Sequence, residues 1–287
     1  MYVDPAQPMP TFLYFAVALI YAAVALFFWR RAYAANPNSQ SAVDDNAVKV
    51  SHWVILVGVI LHGWILLRAV FVEQGMNLGI GNAISLIVWL MVLIYWLGSW
   101  IYPLVSCQMF VLPIAVLAVL FALLAPSDRI LPIASRPALM AHLVLSLLAY
   151  SLFTIAALHA ILTSSLDRSL RQGNTPVALR DAPPLIALET LLLRIIQIGF
   201  VLLTLALASG FVFSEQVFGK AITFPHNTHK VVFGVLSWLI YGAFLVGHRF
   251  YGWRGRTAAL LTLVGFALLL LSYVGSKLVL EVILQRA

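Results

Sequence analysis

The seven histidines are the residues of this chain best suited to chemistry, because imidazole carries protons and binds metals near neutral pH. Four of them stand where a site could form. His62 lies near the middle of a long apolar run, and His142 lies about one turn inside the start of another. His226 and His229 lie just before and at the start of a third run. A polar side chain inside a membrane span costs a few kcal/mol unless it has a partner, so such positions point to function.

Iron in the form of haem is the metal that these histidines favour. Neutral imidazole is a good iron ligand, and haem needs only one or two imidazoles in an apolar slot between helices. Arg68 follows His62 along the same run and is a candidate partner for a haem propionate. A second interpretation stays open, in which His62 and His142 only hydrogen-bond neighbouring helices. The remaining histidines fit that structural role. They lie near the ends of their runs on the side of the membrane away from His142, His226 and His229, and they are His52, His159 and His248.

Several other chemistries are excluded by the residue content. Cys107 is the single cysteine, so there is no CxxCH motif for covalent haem, no CxxC pair and no disulfide framework. We expect Cys107 to be an inert loop thiol. The chain has no glycine-rich phosphate cradle and no nucleophile elbow. Most of the ten carboxylates fall at the ends of apolar runs, which argues against a carboxylate relay within the membrane.

The composition predicts a membrane protein. Hydrophobic residues make up 63% of the chain and charged residues 9%, against about a quarter charged in soluble domains. The formal net charge of +7 is best explained by cytoplasmic loops that face anionic lipid, and we expect no nucleic-acid partner. The predicted fold class is all-α, a polytopic transmembrane helix bundle. We expect one integral membrane domain over residues 1–287 with about eight spans, near 11–29, 53–70, 82–101, 108–124, 138–162, 189–213, 230–248 and 258–280.

The distribution of basic residues predicts how these spans are oriented. Nine lysines and arginines fall on the connections that share one side, namely Arg30, Arg31, Lys49, Arg168, Arg171, Arg180, Arg249, Arg254 and Arg256. Four fall on the other side, namely Arg129, Arg136, Lys220 and Arg286. The positive-inside rule places the first set in the cytoplasm, so both termini are expected to be periplasmic in a bacterial inner membrane. The third and fourth spans carry the least evidence, because the loop 102–107 has no charge.

Two segments carry a resemblance to a known family. The run HKVVFGVLSWLIYGAFLVGHRFYGWRGR extends from His229 to Arg256, and the fifth apolar run begins with His142 and reaches Tyr150 eight residues later. In their residues and in their order along the chain, they resemble the integral membrane proteins of cytochrome c assembly, of the CcsA, ResC and CcmC type. The small YpjD or HemX-like branch is the most similar. The resemblance covers most of residues 138–280 and extends to His62.

The resemblance implies a haem site, with departures. It implies that His142 lies at an outer site for haem b. The family's tryptophan-rich haem-presenting segment corresponds to residues 213–230, which contain no tryptophan. Two further family histidines fall on Val246 and near Leu284. Full haem-lyase chemistry is therefore not expected, whereas His229 is a candidate second iron ligand.

Three functions of different class remain open from the sequence. The first is a haem-binding membrane protein that assists cytochrome c maturation by holding or relaying haem at the outer face. The second is a HemX-like membrane regulator that binds a partner in haem synthesis and has no lyase activity. The third is a transporter of an unrelated solute. Only isolated polar residues support it, such as Arg68, Arg194 and Lys277. The expected partners are membrane lipid and other cytochrome c maturation or haem-synthesis proteins.

Overall fold

Eight α-helices make up most of the described part of the chain, which confirms the all-α prediction. The computed structural model describes residues 10–34, 45–72, 75–102, 104, 107–125, 130–131, 137–173, 179, 182–212 and 228–272. The helices are α1 (Thr11–Ala34), α2 (Asp45–Val70), α3 (Ile80–Gly98), α4 (Gln108–Leu124), α5 (Pro137–Arg171), α6 (Leu185–Val212), α7 (Thr228–Tyr251) and α8 (Gly255–Leu270).

Six of these helices are long and apolar enough to cross a membrane: α1, α2, α3, α5, α6 and α7. The other two, α4 and α8, are apolar but have 17 and 16 residues. At 1.5 Å per residue they extend about 25 Å, slightly less than the ~30 Å hydrocarbon core. Each of the eight predicted spans overlaps one helix. The chain is therefore a polytopic membrane helix bundle.

The helix α5 is longer than its apolar run. It has 35 residues and extends about 52 Å, well beyond the hydrocarbon core. The predicted span 138–162 ends before the polar segment 163–171, which continues the helix and contains no proline or glycine. The helix ends just before Gly173, whose φ of 66° is unfavourable for residues with a Cβ atom.

The chain divides into two compact units, each built around four helices. The first comprises Met1–Ile130 with Ser169–Pro184, and the second comprises Leu131–Arg168 with Leu185–Ala287. In the first unit α1 packs on α2 and α4, and α3 packs on the same two helices. This closed ring buries a core of aliphatic side chains together with Tyr21, His62 and Ser85.

A proline inside α4 shows how the first unit satisfies its backbone. Pro113 has no N–H, so the carbonyl of Met109 four residues earlier loses its helical donor. The indole Nε1 of Trp29 on α1 donates to that carbonyl at 3.0 Å. The contact joins α1 to α4 and removes an unpaired polar group that would be costly in lipid.

The connection between α2 and α3 is a short β-hairpin. Strand β1 (Phe71–Val72) pairs antiparallel with β2 (Gly75–Asn77), with Phe71 opposite Met76 and Val72 opposite Gly75. Asn82 on α3 donates to the carbonyls of Ala69 and Asn77 at 3.3 and 3.2 Å, which ties the hairpin to both helices. A further two-residue strand, β3, spans Ile130–Leu131.

The second unit is held by aromatic and polar contacts among α5, α7 and α8. The rings of Phe153 and Tyr241 stack with their centroids 3.9 Å apart and their planes 14° apart. The hydroxyl of Tyr150 donates to the carbonyl of Leu269 at 2.8 Å, and that of Ser237 donates to the carbonyl of Gly265 at 2.8 Å. The Cα of Gly265 lies under the Tyr241 ring, where a Cβ atom would come within 2.8 Å of it.

A tight turn joins α7 to α8. Gly252 and Gly255 have φ values of 67° and 55°, which favour glycine. The Trp253 ring lies directly over Gly247, and the Trp253 carbonyl accepts a hydrogen bond from Nδ1 of His248 at 2.8 Å. Aromatic packing and a side-chain hydrogen bond therefore define this turn, and we call residues 248–256, which include Arg249, Arg254 and Arg256, the basic hairpin.

Candidate functional site

His142 lies in the second unit, and its hydrogen bonds determine which ring nitrogen carries the proton. Its Nδ1 lies 3.0 Å from the carbonyl of Ala206 and 3.1 Å from the hydroxyl of Ser209, both on α6. The Ser209 hydroxyl donates its own proton to the same carbonyl at 2.8 Å. Because both neighbours act as acceptors, Nδ1 must donate. The neutral ring then has its lone pair on Nε2, an atom through which imidazole binds metals.

A glycine on α6 leaves room for the imidazole of His142. A Cβ atom on Gly210 would lie 3.2 Å from Cε1 of His142, tighter than most such contacts. Eleven residues away on each helix, Gly199 lies against the ring of Phe153 in a similar contact. The two helices are therefore antiparallel where these side chains meet, and the imidazole of His142 reaches the last turns of α6.

Contacts of α7 with α6 and contacts of α7 with α5 independently place the start of α7 at the depth of His142. Along α6 and α7, Phe200 lies against Gly242 and Leu207 lies against Gly234, so the helices are antiparallel. Continuing this register brings the last turn of α6 level with residues 229–231. Because α5 and α7 both run antiparallel to α6, they are parallel to each other. Phe153 on α5 contacts Tyr241 on α7. Phe153 stands eleven residues after His142, and Tyr241 stands eleven residues after Lys230, so the backbone at Lys230 also lies level with His142.

The backbone of His229 therefore lies at the level of His142. The backbone of His229 is described as part of α7, whereas its side chain falls outside the described residues. His226, the other candidate in this region, also falls outside them.

His62 and Arg68 lie in the first unit, on α2. His62 is 1% exposed, and its Nε2 lies 2.9 Å from the hydroxyl of Ser85 on α3. Its Nδ1 lies 3.5 Å from the hydroxyl of Tyr21 on α1, and the two rings meet edge to face. Both ring nitrogens thus contact neighbouring helices, which matches the structural interpretation of this residue. Arg68 is in the last turn of α2 and is partly exposed.

Two of the other three histidines make contacts typical of helix ends. His52 lies 3.4 Å from the hydroxyl of Ser99 through Nδ1, and its carbonyl accepts from the indole of Trp96. His248 holds the turn after α7 through Trp253. His159 is fully buried within α5. His248 shares with His142 a hydrogen bond from Nδ1 to a backbone carbonyl, but it lies at the end of α7 opposite to His229.

The residues present fit a haem better than a bare metal ion. Within the described ranges, no three His, Cys, Asp or Glu side chains gather closely enough to hold a metal ion. A haem iron already has four porphyrin nitrogens, so one or two imidazoles complete its coordination. A ligand histidine commonly donates its other ring N–H to a backbone carbonyl, and His142 does so to Ala206.

Sequence reasoning missed the residues that hold the imidazole of His142. Ala206, Ser209 and Gly210 look like ordinary small residues of a membrane helix. A usable signal was present, because the fifth and sixth spans must be antiparallel neighbours. Counting from the connection between them places Ser209 and Gly210 near the depth of His142.

Comparison with known proteins extends the resemblance beyond the second unit. The model of the family described as cytochrome C assembly protein matches residues 47–284. The chain is 33% identical over 170 residues to the inner membrane protein YpjD of Escherichia coli K12, an alignment that covers 59% of this chain and 62% of that relative. It is 43% identical over 88 residues to the cytochrome c biogenesis protein CcsA of Prochlorococcus marinus, covering 31% of this chain and 28% of that protein.

The chain thus aligns with less than two thirds of the length of these curated relatives. No solved structure matches it. The family model nevertheless covers well over half of the chain and includes all of α3 to α8. The chain belongs to the cytochrome c assembly protein family.

Proposed function

We propose that this protein is a haem-binding component of cytochrome c maturation in a bacterial inner membrane, which holds or relays haem b at the outer face. His142 provides an iron ligand through Nε2, and His229 provides the second. The observation that carries the proposal is the fixed ring of His142. Its Nδ1 donates to Ala206, and the start of α7 lies at the same depth.

The bound haem is the cargo, and it supplies the iron porphyrin that maturation attaches to cytochromes. The residues of the chain hold and orient it. His142 offers its Nε2 lone pair from a half-buried position, while Ala206 and Ser209 keep the ring from rotating. Apolar side chains of α5, α6 and α7 would exclude water from the porphyrin. His226, which precedes α7, is a further candidate for contact with the propionates, whereas the other candidate, Arg68, belongs to the first unit.

An absorption spectrum of the protein purified in mild detergent tests this function. We expect a Soret band in the wild-type protein and its loss, or a strong reduction, in His142→Ala. His248→Ala is the matched control, because it removes an imidazole of the same unit that bonds to Trp253. Wild-type haem content and an unchanged Soret position in His142→Ala, at equal helicity, would overturn the proposal and make His62 the leading ligand.

A second candidate function is a HemX-like membrane regulator that binds a partner protein in haem synthesis. The absence of tryptophan from residues 213–230 favours it, because that segment presents haem in the family's lyases. A colourless protein that co-purifies with one defined cytosolic partner would support this alternative over the first.

A further inference from the structure

The surroundings of His142 assign roles to two residues that carry no obvious chemistry. Ser209 and Gly210 are adjacent on the last turns of α6, and both contact the imidazole. Gly210 is buried, and its missing Cβ leaves the space that Cε1 of His142 approaches. The Ser209 hydroxyl gives its proton to Ala206 and therefore faces Nδ1 with a lone pair.

We propose that Ser209 and Gly210 are positioning residues for His142, which fix its proton on Nδ1 and thereby set the strength of the bond between Nε2 and haem iron. This inference rests on the proposed function. A hydrogen bond from Nδ1 makes Nε2 a stronger electron donor, and losing such an outer partner commonly weakens metal binding 10- to 100-fold. The two residues act through His142 and need not touch the haem.

The substitution Gly210→Ala gives a sharper test than a change at Ser209. A Cβ atom placed 3.2 Å from Cε1 forces the ring to move by a few tenths of an ångström, away from its acceptors. Helix propensity predicts the opposite sign for stability, because alanine favours a helix over glycine. A weakened haem bond in Gly210→Ala therefore cannot be ascribed to a weaker helix.

The matched glycine control is Gly242→Ala. Gly242 lies in α7 of the same unit, and its added Cβ would meet the ring of Phe200 at an ordinary 3.5 Å. The matched serine control is Ser237→Ala, which removes a buried hydroxyl that donates to Gly265 across two helices. Both controls change packing or hydrogen bonding within the unit without changing the contacts to His142.

The experiment combines a haem titration with the reduction potential of the bound haem. We expect Gly210→Ala to weaken haem binding about tenfold and to shift the potential to more positive values. Ser209→Ala should weaken binding a few-fold, since the Ala206 carbonyl remains, and Ser209→Thr should restore it. Equal affinities and potentials in Gly210→Ala and Gly242→Ala would overturn the inference.

A second measurement needs no haem. In protein labelled with ¹⁵N-histidine, with His142 assigned by the loss of its signal in His142→Gln, we expect the proton on Nδ1. A proton on Nε2 would overturn the inference. If His142→Ala keeps its haem, the proposed function fails, while this measurement still decides the protonation of the ring. If His142→Ala loses haem but Gly210→Ala and Ser209→Ala match their controls, only the positioning roles fail.

Discussion

Nε2 of His62 lies 2.9 Å from the hydroxyl of Ser85, and both residues are almost fully buried in the first unit. The contact joins α2 to α3, and the contact between His62 and Tyr21 joins α2 to α1. A single imidazole thus connects three helices at membrane depth. This arrangement gives His62 a structural role that is independent of any ligand.

We therefore expect His62→Ala to lower stability while leaving the haem of the purified protein in place. Interhelical hydrogen bonds in membrane proteins contribute about 0.6 kcal/mol on average and at most about 1.7 kcal/mol. A double-mutant cycle of His62→Ala with Ser85→Ala, followed by thermal unfolding in detergent, should give a coupling energy in that range. Ser51→Ala is the control, because its hydroxyl donates to the carbonyl of Val48 in its own helix. Loss of haem from well-folded His62→Ala would contradict this assignment.

The second prediction concerns the coordination number of the iron. Two imidazole ligands give six-coordinate, low-spin iron, and one gives five-coordinate iron that is open to added ligands. Because the backbone of His229 lies level with His142, we expect His229→Ala to keep most of its haem but to show a high-spin spectrum. Added imidazole should restore the low-spin form. An unchanged spectrum in His229→Ala would remove it as a ligand, and His226→Ala is then the variant to measure.

Much of the fold could be predicted from the sequence, because the membrane imposes it. Each apolar run contains a helix, since an unpaired backbone group in lipid costs several kcal/mol. The apolar runs 230–248 and 258–280, with three arginines between them, predicted the connection between α7 and α8. The continuation of α5 to Arg171 has a different basis, because the segment after residue 162 is polar but contains no proline or glycine.

The sequence could predict the candidate ligand of the site but not the residues that hold it, for a physical reason. The type of residue and its depth single out His142, but its hydrogen bonds depend on the rotation and register of α6. A change of one residue in that register would turn Ser209 and Gly210 away from the ring. In the same way, nothing local in the sequence indicates that Trp29 bonds to the carbonyl freed by Pro113.

The third prediction separates topology from binding at the basic hairpin. Arg254 is 61% exposed and lies 3.7 Å from the carboxylate of Glu189, so this ion pair contributes little stability. Each basic residue near an anionic leaflet is worth about 1 kcal/mol in orientation. We expect Arg254→Gln with Arg256→Gln to lower the yield of correctly inserted protein, with haem per inserted molecule unchanged. Glu189→Gln is the control, because it breaks the ion pair but keeps the positive charge. Loss of haem from the inserted double variant would refute this role.

The fourth prediction concerns the thiol of Cys107. Burial raises the pKa of this thiol, although a hydrogen bond with Tyr95 works in the opposite direction. The reactive thiolate is therefore scarcer than in an exposed cysteine, and its fraction grows only at more alkaline pH. We expect slow maleimide labelling of the folded protein near neutral pH and complete labelling after unfolding in SDS. Rapid labelling of the folded protein at neutral pH would show that the region around Cys107 opens.

The last prediction concerns the orientation of the chain. If all eight helices cross the membrane, both termini lie on the same side, and the distribution of basic residues puts that side outside. We expect a C-terminal alkaline phosphatase fusion to be active and a C-terminal GFP fusion to be dark. A GFP fusion after Gly173, following the long α5, should fluoresce if α1 to α5 all cross. The opposite result at the C-terminus would mean that one of the two short helices, Gln108–Leu124 or Gly255–Leu270, does not cross. A phosphatase fusion within residues 126–129 would then distinguish them, because it is active only if α4 spans the membrane.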